Sequence, residues 1–461
     1  MQNMGSMPDT AVGAPEVREY DVDAVNRKET RPPLYAPRKK IHPRRTHGFF
    51  RSFKWWVMAL TLGVYYITPW LRWDRGPGAP DQAVLVDIPG RRFYFFFIEI
   101  WPQEFYYIAG LLIMAGLGLF LVTSVVGRAW CGYTCPQTVW TDLFIWVERL
   151  VEGDRAARIR LDKAPNSASK AAKRLTKYVI WLLIAMGTGG AWVFYFADAP
   201  TLFTDLFTGQ ADTVAYATVG VLTFTTFSLG GLMREQVCIY MCPWPRIQAA
   251  MMDEESLTVT YRADRGEPRK PFEKNADWDQ RGDCIDCKAC VVVCPMGIDI
   301  RDGQQLECIT CALCIDACDD VMGKIGRPRG LIDYDSIAND ERRRAGEETK
   351  LRLFRPRTLF YFGLWGLIGL GMLYVLLTRA DLDINVIHDR NPLYTTLSDG
   401  SLRNGYTFKI LNKAREQRTL MLHASGLHGI KLKVVGSEDM GDSPDPYFTV
   451  KPDRLQSFRL L

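Results

Sequence analysis

The chain has 461 residues, 57 Lys and Arg against 52 Asp and Glu, a formal net charge of +5 and 12 cysteines. That length is too great for one small domain, and the modest charge gives no grounds for a nucleic-acid binder. Every cysteine falls in a recurring motif, so a disulfide-stapled secreted fold is also excluded and a reducing compartment is expected for the cysteine-rich part.

Residues 1–54 read as a flexible basic arm. They are polar and proline-bearing, and become more basic from Arg38 to Arg45, suited either to lie against anionic lipid heads or to be a solvated tail. No removable signal peptide is expected, because this polar stretch precedes the first apolar one.

Five windows reach the roughly 17–25 apolar residues that a membrane span needs. They are 55–71, 105–126, 178–197, 214–233 and 358–378, and none holds a charged side chain. A shorter apolar patch, 93–101, carries Glu99 and reads as a strand or interfacial segment, and Trp101 to Glu104 as part of an aromatic membrane belt. Lys and Arg crowd the arm, the 127–177 loop and the 234–357 segment; the 198–213 loop has none. The positive-inside rule then places the arm and the 234–357 segment in the cytoplasm, and five spans put the C-terminus on the far side.

The first two spans end in Arg128-Ala129-Trp130-Cys131-Gly132-Tyr133-Thr134-Cys135-Pro136. The next two end in Arg234-Glu235-Gln236-Val237-Cys238-Ile239-Tyr240-Met241-Cys242-Pro243. Both copies follow hairpins of the same orientation, as in parallel repeats, so Cys131 and Cys135 are expected to face Cys238 and Cys242 at one membrane surface. Each proline suits the first turn of a helix. A thiol at a helix start, near Arg128 or Arg234, is expected to have a lowered pKa. Four converging thiolates suit Cu(I), zinc or an iron–sulfur centre.

Next comes a run with the spacing of a two-cluster ferredoxin. Cys284, Cys287 and Cys290 stand two residues apart with Cys294 three further on, and Cys308, Cys311, Cys314 and Cys318 repeat the pattern. A tight loop supplies three corners of a [4Fe–4S] cube, and the fourth comes from the other half. The expected ligand sets are therefore Cys284, Cys287, Cys290 and Cys318 for one cluster, and Cys308, Cys311, Cys314 and Cys294 for the other. Paired zinc sites fit this spacing poorly.

Beyond the last span, the segments 383–388, 406–411, 419–424 and 430–435 have β-propensity, suggesting a small antiparallel sandwich that is short for seven strands. The expected plan is an arm (1–54), a four-span membrane core (55–257), a two-cluster ferredoxin-like domain (258–350), a fifth span (351–381) and an immunoglobulin-like β domain (382–461). All five histidines, His42, His47, His388, His423 and His428, lie outside the spans and are expected at the surface, so neither histidine-ligated haem nor c-type haem is supported. No phosphate loop or dinucleotide fingerprint is present, which leaves a protein or a quinol as the electron donor.

This order of modules resembles the CcoG family, also called FixG or RdxA, over roughly residues 38–461, including the basic lead-in 37–44 and the stretches 130–140 and 238–248. Proteins of that family are accessory to assembly of bacterial cbb3-type cytochrome c oxidase. The resemblance implies a multi-pass inner-membrane protein with a periplasmic C-terminal domain. It also implies reduction of Cu(II) to Cu(I), with Cys131, Cys135, Cys238 and Cys242 as the copper site. A cage of four thiolates would hold Cu(I) tightly, so a copper chaperone or transporter is expected as a partner beside the oxidase assembly factors. Two other readings fit the same residues: a respiratory electron-transfer subunit with a further intramembrane iron–sulfur cluster, and a non-catalytic assembly scaffold. The electron donor and the oligomeric state stay open.

Overall fold

The structure is a computed structural model that describes residues 40–76, 78–273, 277–426, 429–436 and 445–461. Most of the basic arm and His428 lie outside those residues. The chain forms two compact units. The first is drawn from the described residues up to Glu99 and from Val122–Arg352, the second from Ile100–Leu121 and Leu353–Leu461.

Four helical segments are long and apolar enough to cross a membrane: Pro102–Val126, Ala168–Tyr195, Thr213–Met233 and Pro356–Leu377. They coincide with four of the five expected windows. The remaining window, 55–71, begins inside the helix Phe49–Ile67 and runs past its end into the short turn Thr68–Trp70, and that helix does not join the four. That helix begins upstream of the window and carries Arg51 and Lys54, both buried against protein. Arg51 Nη1 donates to both oxygens of Asp142 at 2.8 and 2.9 Å, with Lys54 Nζ 3.9 Å away. Its start lacks a local side-chain cap, and Asp316 serves instead, accepting the Phe50 N–H at 3.1 Å and the Arg51 N–H at 2.7 Å.

As far as Glu99, where the first unit ends, the apolar patch 93–101 lies on a small sheet of β1 (Val84–Asp87), β2 (Arg92–Phe95) and β3 (Ile98–Ile100), with β1 and β2 antiparallel. The helix Pro136–Glu152 starts on its proline and stops at Gly153, whose φ of 89° only glycine adopts readily. Its Phe144 stacks on Trp181 of the helix Ala168–Thr188 at 5.3 Å, and Val147 and Ala185 complete that core.

Beside this core sits a buried ionic hub. Glu148 meets Arg158, Arg234 and Lys177, and Glu152 meets Lys177 at 2.9 Å and Arg174 at 3.2 Å. Both carboxylates are almost wholly out of solvent, and each survives there because cations surround it. Further on, β4 (Thr258–Tyr261) pairs antiparallel with β5 (Ile332–Asp335), bracketing the cysteine-rich loops and the helix Leu313–Lys324.

In the second unit β6 (Leu382–His388), β9 (Tyr406–Asn412) and β12 (Arg454–Leu460) form a sheet in the order β12-β9-β6. β10 (Arg418–Met421) pairs with β11 (Tyr447–Val450), and β7 (Thr395–Thr396) with β8 (Leu402–Arg403). Ile410, Val434, Phe448, Val450 and Leu460 make the core. The expected segment 430–435 contributes only a bridge from Val434 to Leu460, whereas β11 and β12 are strands the sequence reading did not anticipate. Glu104 is buried and joined to Lys413 at 2.7 Å and Arg379 at 3.7 Å, so this end of the Trp101–Glu104 stretch is an ionic anchor within the unit.

Candidate iron–sulfur and cysteine centre

The two cysteine loops share one backbone shape. Asp286 and Lys288 in the first, and Thr310 and Ala312 in the second, all have φ between 50° and 59°, the left-handed region that non-glycine residues rarely occupy. These alternating kinks wrap each loop into a bowl. Cys284, Cys287 and Cys290 line one cavity of ≈ 320 Å³, and Cys318, reaching across from the helix Leu313–Lys324, lines the same cavity. Cys308, Cys311 and Cys314 line a second cavity of ≈ 380 Å³ together with Cys294, which follows the helix Ala289–Val293. Cys290 also borders this second cavity, so the two are neighbours.

The donor set fits two iron–sulfur cubes. Both cavities are thiol-lined. The rest of the second is apolar, with Ile298 and Ile309 on its wall, and the first has Met322 and Leu331 together with the cations Lys288 and Arg301. Among the described residues no three Cys, His, Asp or Glu side chains gather closely enough for a single metal ion. The thiols are thus spread around a volume, as a cube requires and a lone zinc does not. Burial pushes the Cys290, Cys294 and Cys318 thiols up to about 12 and Cys308 up to about 11, so cluster binding must expel protons from them.

The membrane-edge quartet shows its duplication in backbone detail. Cys135 and Cys242 have nearly the same conformation before their prolines, with ψ of 125° and 123°. The Cys135 N–H donates to Trp130 O at 3.0 Å and the Cys242 N–H to Val237 O at 2.8 Å, in both copies to the residue five back. Cys131 and Cys238 pack against the same apolar core, whose members include Ile309, Cys311, Cys294 and Cys314. The charge on Cys238 would be opposed by Cys135, Cys131 and Cys242 alike, so the four sulfurs share one neighbourhood. Like the ferredoxin cysteines, they do not close around a single ion.

Burial pushes Cys131 up to about 11 and Cys238 up to about 12, and the opposing pull of Arg128 does not offset it. Arg234 is turned away, engaged by Glu148 and by Gly231 O. Burial of the sulfur outweighs a guanidinium whose charge is spent elsewhere.

Gln248, Tyr334 and Gly132, to which the sequence reading gave no role, help build this centre, and Arg128 acts in it through the second loop. Gln248 is fully buried and bridges the repeats: its Oε1 lies 3.1 Å from Cys131 Sγ, and its Nε2 donates to Thr123 Oγ1 at 3.3 Å. Arg128 donates to Leu306 O, Tyr133 Oη to Cys311 O at 3.3 Å, and Tyr334 Oη to Thr310 O at 2.7 Å. Gly132 lies so close to the second loop that a Cβ there would sit 2.6 Å from Ile309 O. A cavity of ≈ 740 Å³ opens beside Cys238 and Cys242, edged by Met241, Arg246 and Glu307. Among the described residues no histidine lines a cysteine cavity. His42 is buried against Asp162, contrary to the surface expectation, and His423 bonds to Asp445.

Apolar helices, paired thiol-lined cavities and a cysteine quartet define a membrane-bound iron–sulfur protein of the electron-transfer class. Three family models match: a 4Fe-4S dicluster domain over residues 233–337, a 4Fe-4S binding domain over 108–152, and the IG-like fold at the C-terminal of FixG over 372–461. Nitrogen fixation protein FixG of Rhizobium meliloti is 56% identical over 96% of this chain and 90% of its own length. Protein RdxA of Cereibacter sphaeroides is 59% identical over 88% of this chain and 86% of its own. Protein RdxB of the same organism is 61% identical over 87% and 85%. No solved structure matches. The chain belongs to the FixG/RdxA family.

Proposed function

We propose that the chain is a membrane oxidoreductase that carries single electrons to Cys131, Cys135, Cys238 and Cys242 and there reduces Cu(II) to Cu(I). Cys284, Cys287, Cys290 and Cys318 hold one [4Fe–4S] cluster, and Cys308, Cys311, Cys314 and Cys294 the other. When bound, each cluster supplies reversible one-electron storage at low potential. The chain's own residues shield the second cavity and hold its loop against the quartet through Gly132, Tyr133 and Arg128. One observation carries this reading: Cys131 and Cys238 share an apolar core with Cys311, Cys294 and Cys314. The net step takes one electron from a reduced carrier and leaves Cu(I), the state that thiolates prefer.

In this reading the helix Phe49–Ile67 is a fifth span, the cysteine loops are cytoplasmic, and the β unit is on the periplasmic side of the inner membrane. Cu(I) passes to a chaperone or transporter and on to assembly of a cbb3-type oxidase. The test is anaerobic mixing of reduced protein with Cu(II), following reoxidation of the clusters and trapping Cu(I) with a chelator. Wild type reoxidises, and a variant with all four quartet cysteines changed to serine does not. Equal rates in the two would remove the site.

A second reading has its own support. The 4Fe-4S binding model over 108–152 contains only Cys131 and Cys135, and the quartet is not drawn in around one ion. A further cluster at the quartet raises the iron content from about 8 to about 12 per chain, which elemental analysis separates directly.

A further inference from the structure

The two cysteine loops have the same shape but opposite surroundings. Aligned by their spacing, Cys287 corresponds to Cys311 and Lys288 to Ala312. In the second loop Cys311 and Ala312 are buried, and the α-carbon of Cys311 lies against Gly132 of the quartet. In the first loop Cys287 is the only exposed cysteine of the twelve, and Lys288 beside it is exposed too. One bowl is therefore closed by its redox neighbour within the chain, and the matching rim of the other is open.

The open rim is positively charged. Lys288 and Arg301 line the first cavity, and no carboxylate does. Arg301 is committed to Asp299 and Asp286, but Lys288 forms no ion pair among the described residues. Arg269 and Lys270 are exposed, Arg269 lying 3.5 Å from Glu267, and the Lys270 N–H donates to Cys284 O at the base of the same loop.

We infer that the rim formed by Cys287 and Lys288, with Arg269 and Lys270, is the docking surface for a small acidic one-electron carrier protein, which delivers electrons to the chain in single steps. The carrier is oxidised by one electron as the chain is reduced by one, with no proton or group transferred. A charged rim around an exposed thiol steers an oppositely charged partner and lets it approach closely. This assignment rests on the proposed cluster ligation and is independent of what the quartet reduces.

The experiment uses the full chain in detergent, an acidic plant-type [2Fe–2S] ferredoxin as carrier, and Lys288→Glu beside Lys431→Glu, an equal charge change at an exposed site on the second unit. Calorimetry measures binding of the oxidised ferredoxin, and stopped-flow absorbance measures cluster reduction by the reduced form at low and high salt. Iron content and the electron paramagnetic resonance of dithionite-reduced samples verify that the clusters are intact. Lys288→Glu is expected to weaken binding and slow reduction about tenfold at low salt, to flatten the salt dependence, and to leave reduction by methyl viologen radical cation undiminished. Lys431→Glu behaves as wild type. Equal losses in both variants, or unchanged binding in Lys288→Glu with intact clusters, overturn the assignment. A chain that accepts ferredoxin electrons normally but fails to reduce Cu(II) counts against the copper reading alone.

Discussion

Replacing Gly132 by alanine tests whether the quartet is physically docked on the second cysteine loop. The added Cβ would meet Ile309 O at 2.6 Å, Cys311 Cα at 3.0 Å and Cys311 N at 3.1 Å, all backbone atoms that no rotamer change can move aside. Ordinary contact begins at 3.4 Å, so the helix Ala129–Tyr133 and the loop must part by about 0.8 Å, the difference between 3.4 and 2.6. Overpacking of this kind costs about 1–3 kcal/mol. Opposing it, alanine is better than glycine inside a helix by about 1 kcal/mol. The two effects have opposite signs, so the sign of the result is informative. Gly132→Ala should lower the thermal midpoint and speed hydrogen exchange of the 308–314 amides, while the 284–290 amides exchange as before. It should also slow electron passage from reduced clusters to Cu(II). A raised midpoint with unchanged exchange in both loops would show that helix propensity alone acts at this position, and that the close approach is absent.

Cys318→Ser should deplete the cluster bounded by Cys284, Cys287 and Cys290, and Cys294→Ser the one bounded by Cys308, Cys311 and Cys314. Each is expected to lose about four of about eight irons, and paramagnetic resonance of the remaining cluster should differ between the two variants; identical residual spectra would refute the crossed ligation. Glu148→Gln leaves Arg158, Arg234 and Lys177 short of a counter-charge in a buried site and should destabilise by about 3–5 kcal/mol, whereas breaking the exposed Lys324–Asp320 pair should change stability by under about 1 kcal/mol. Similar thermal midpoints for the two would refute the hub's burial. For Asp142, burial works to raise the carboxyl but is outweighed by Lys54 and Arg51, which hold it below the ordinary range. Its contribution is therefore complete above the unfolded carboxylate pKa near 4 and fades as pH falls through the lower folded value. The stability gap between wild type and Asp142→Asn should be widest near pH 7 and close in acid, and a gap independent of pH would contradict the ion pair with Arg51.

What could be read from the sequence was whatever is fixed by short-range spacing. Cysteine intervals dictate which thiols can share a bowl, and uninterrupted apolar windows mark four helices whatever their neighbours. The first window reads like the other four on its own; Arg51 and Lys54 precede it, and only the fold shows that they turn toward Asp142. Glu148 and Glu152 carry no local sign of burial, yet they are enclosed by cations from three other segments of the chain. Gln248 and Gly132 carry no local signature, since one matters for a partner 117 residues away and the other for the backbone of a distant loop.

The same distinction explains how the duplicated motif serves unequal roles. Both copies keep the bond from the second cysteine's N–H to the residue five back, because the C-x₃-C-P spacing and its proline determine that turn locally. Their arginines then diverge through tertiary contact alone. Arg128 reaches Leu306 O at the edge of the second cysteine loop, while Arg234 is drawn to Glu148 and fastens its copy to the ionic hub. Gly132 allows the first copy to approach the second loop, whereas the second copy has Ile239 at the matching position and opens beside it onto the larger cavity. Repetition thus set two like turns side by side. Their neighbours bring the first against the backbone of the second cysteine loop and leave the larger cavity beside the second.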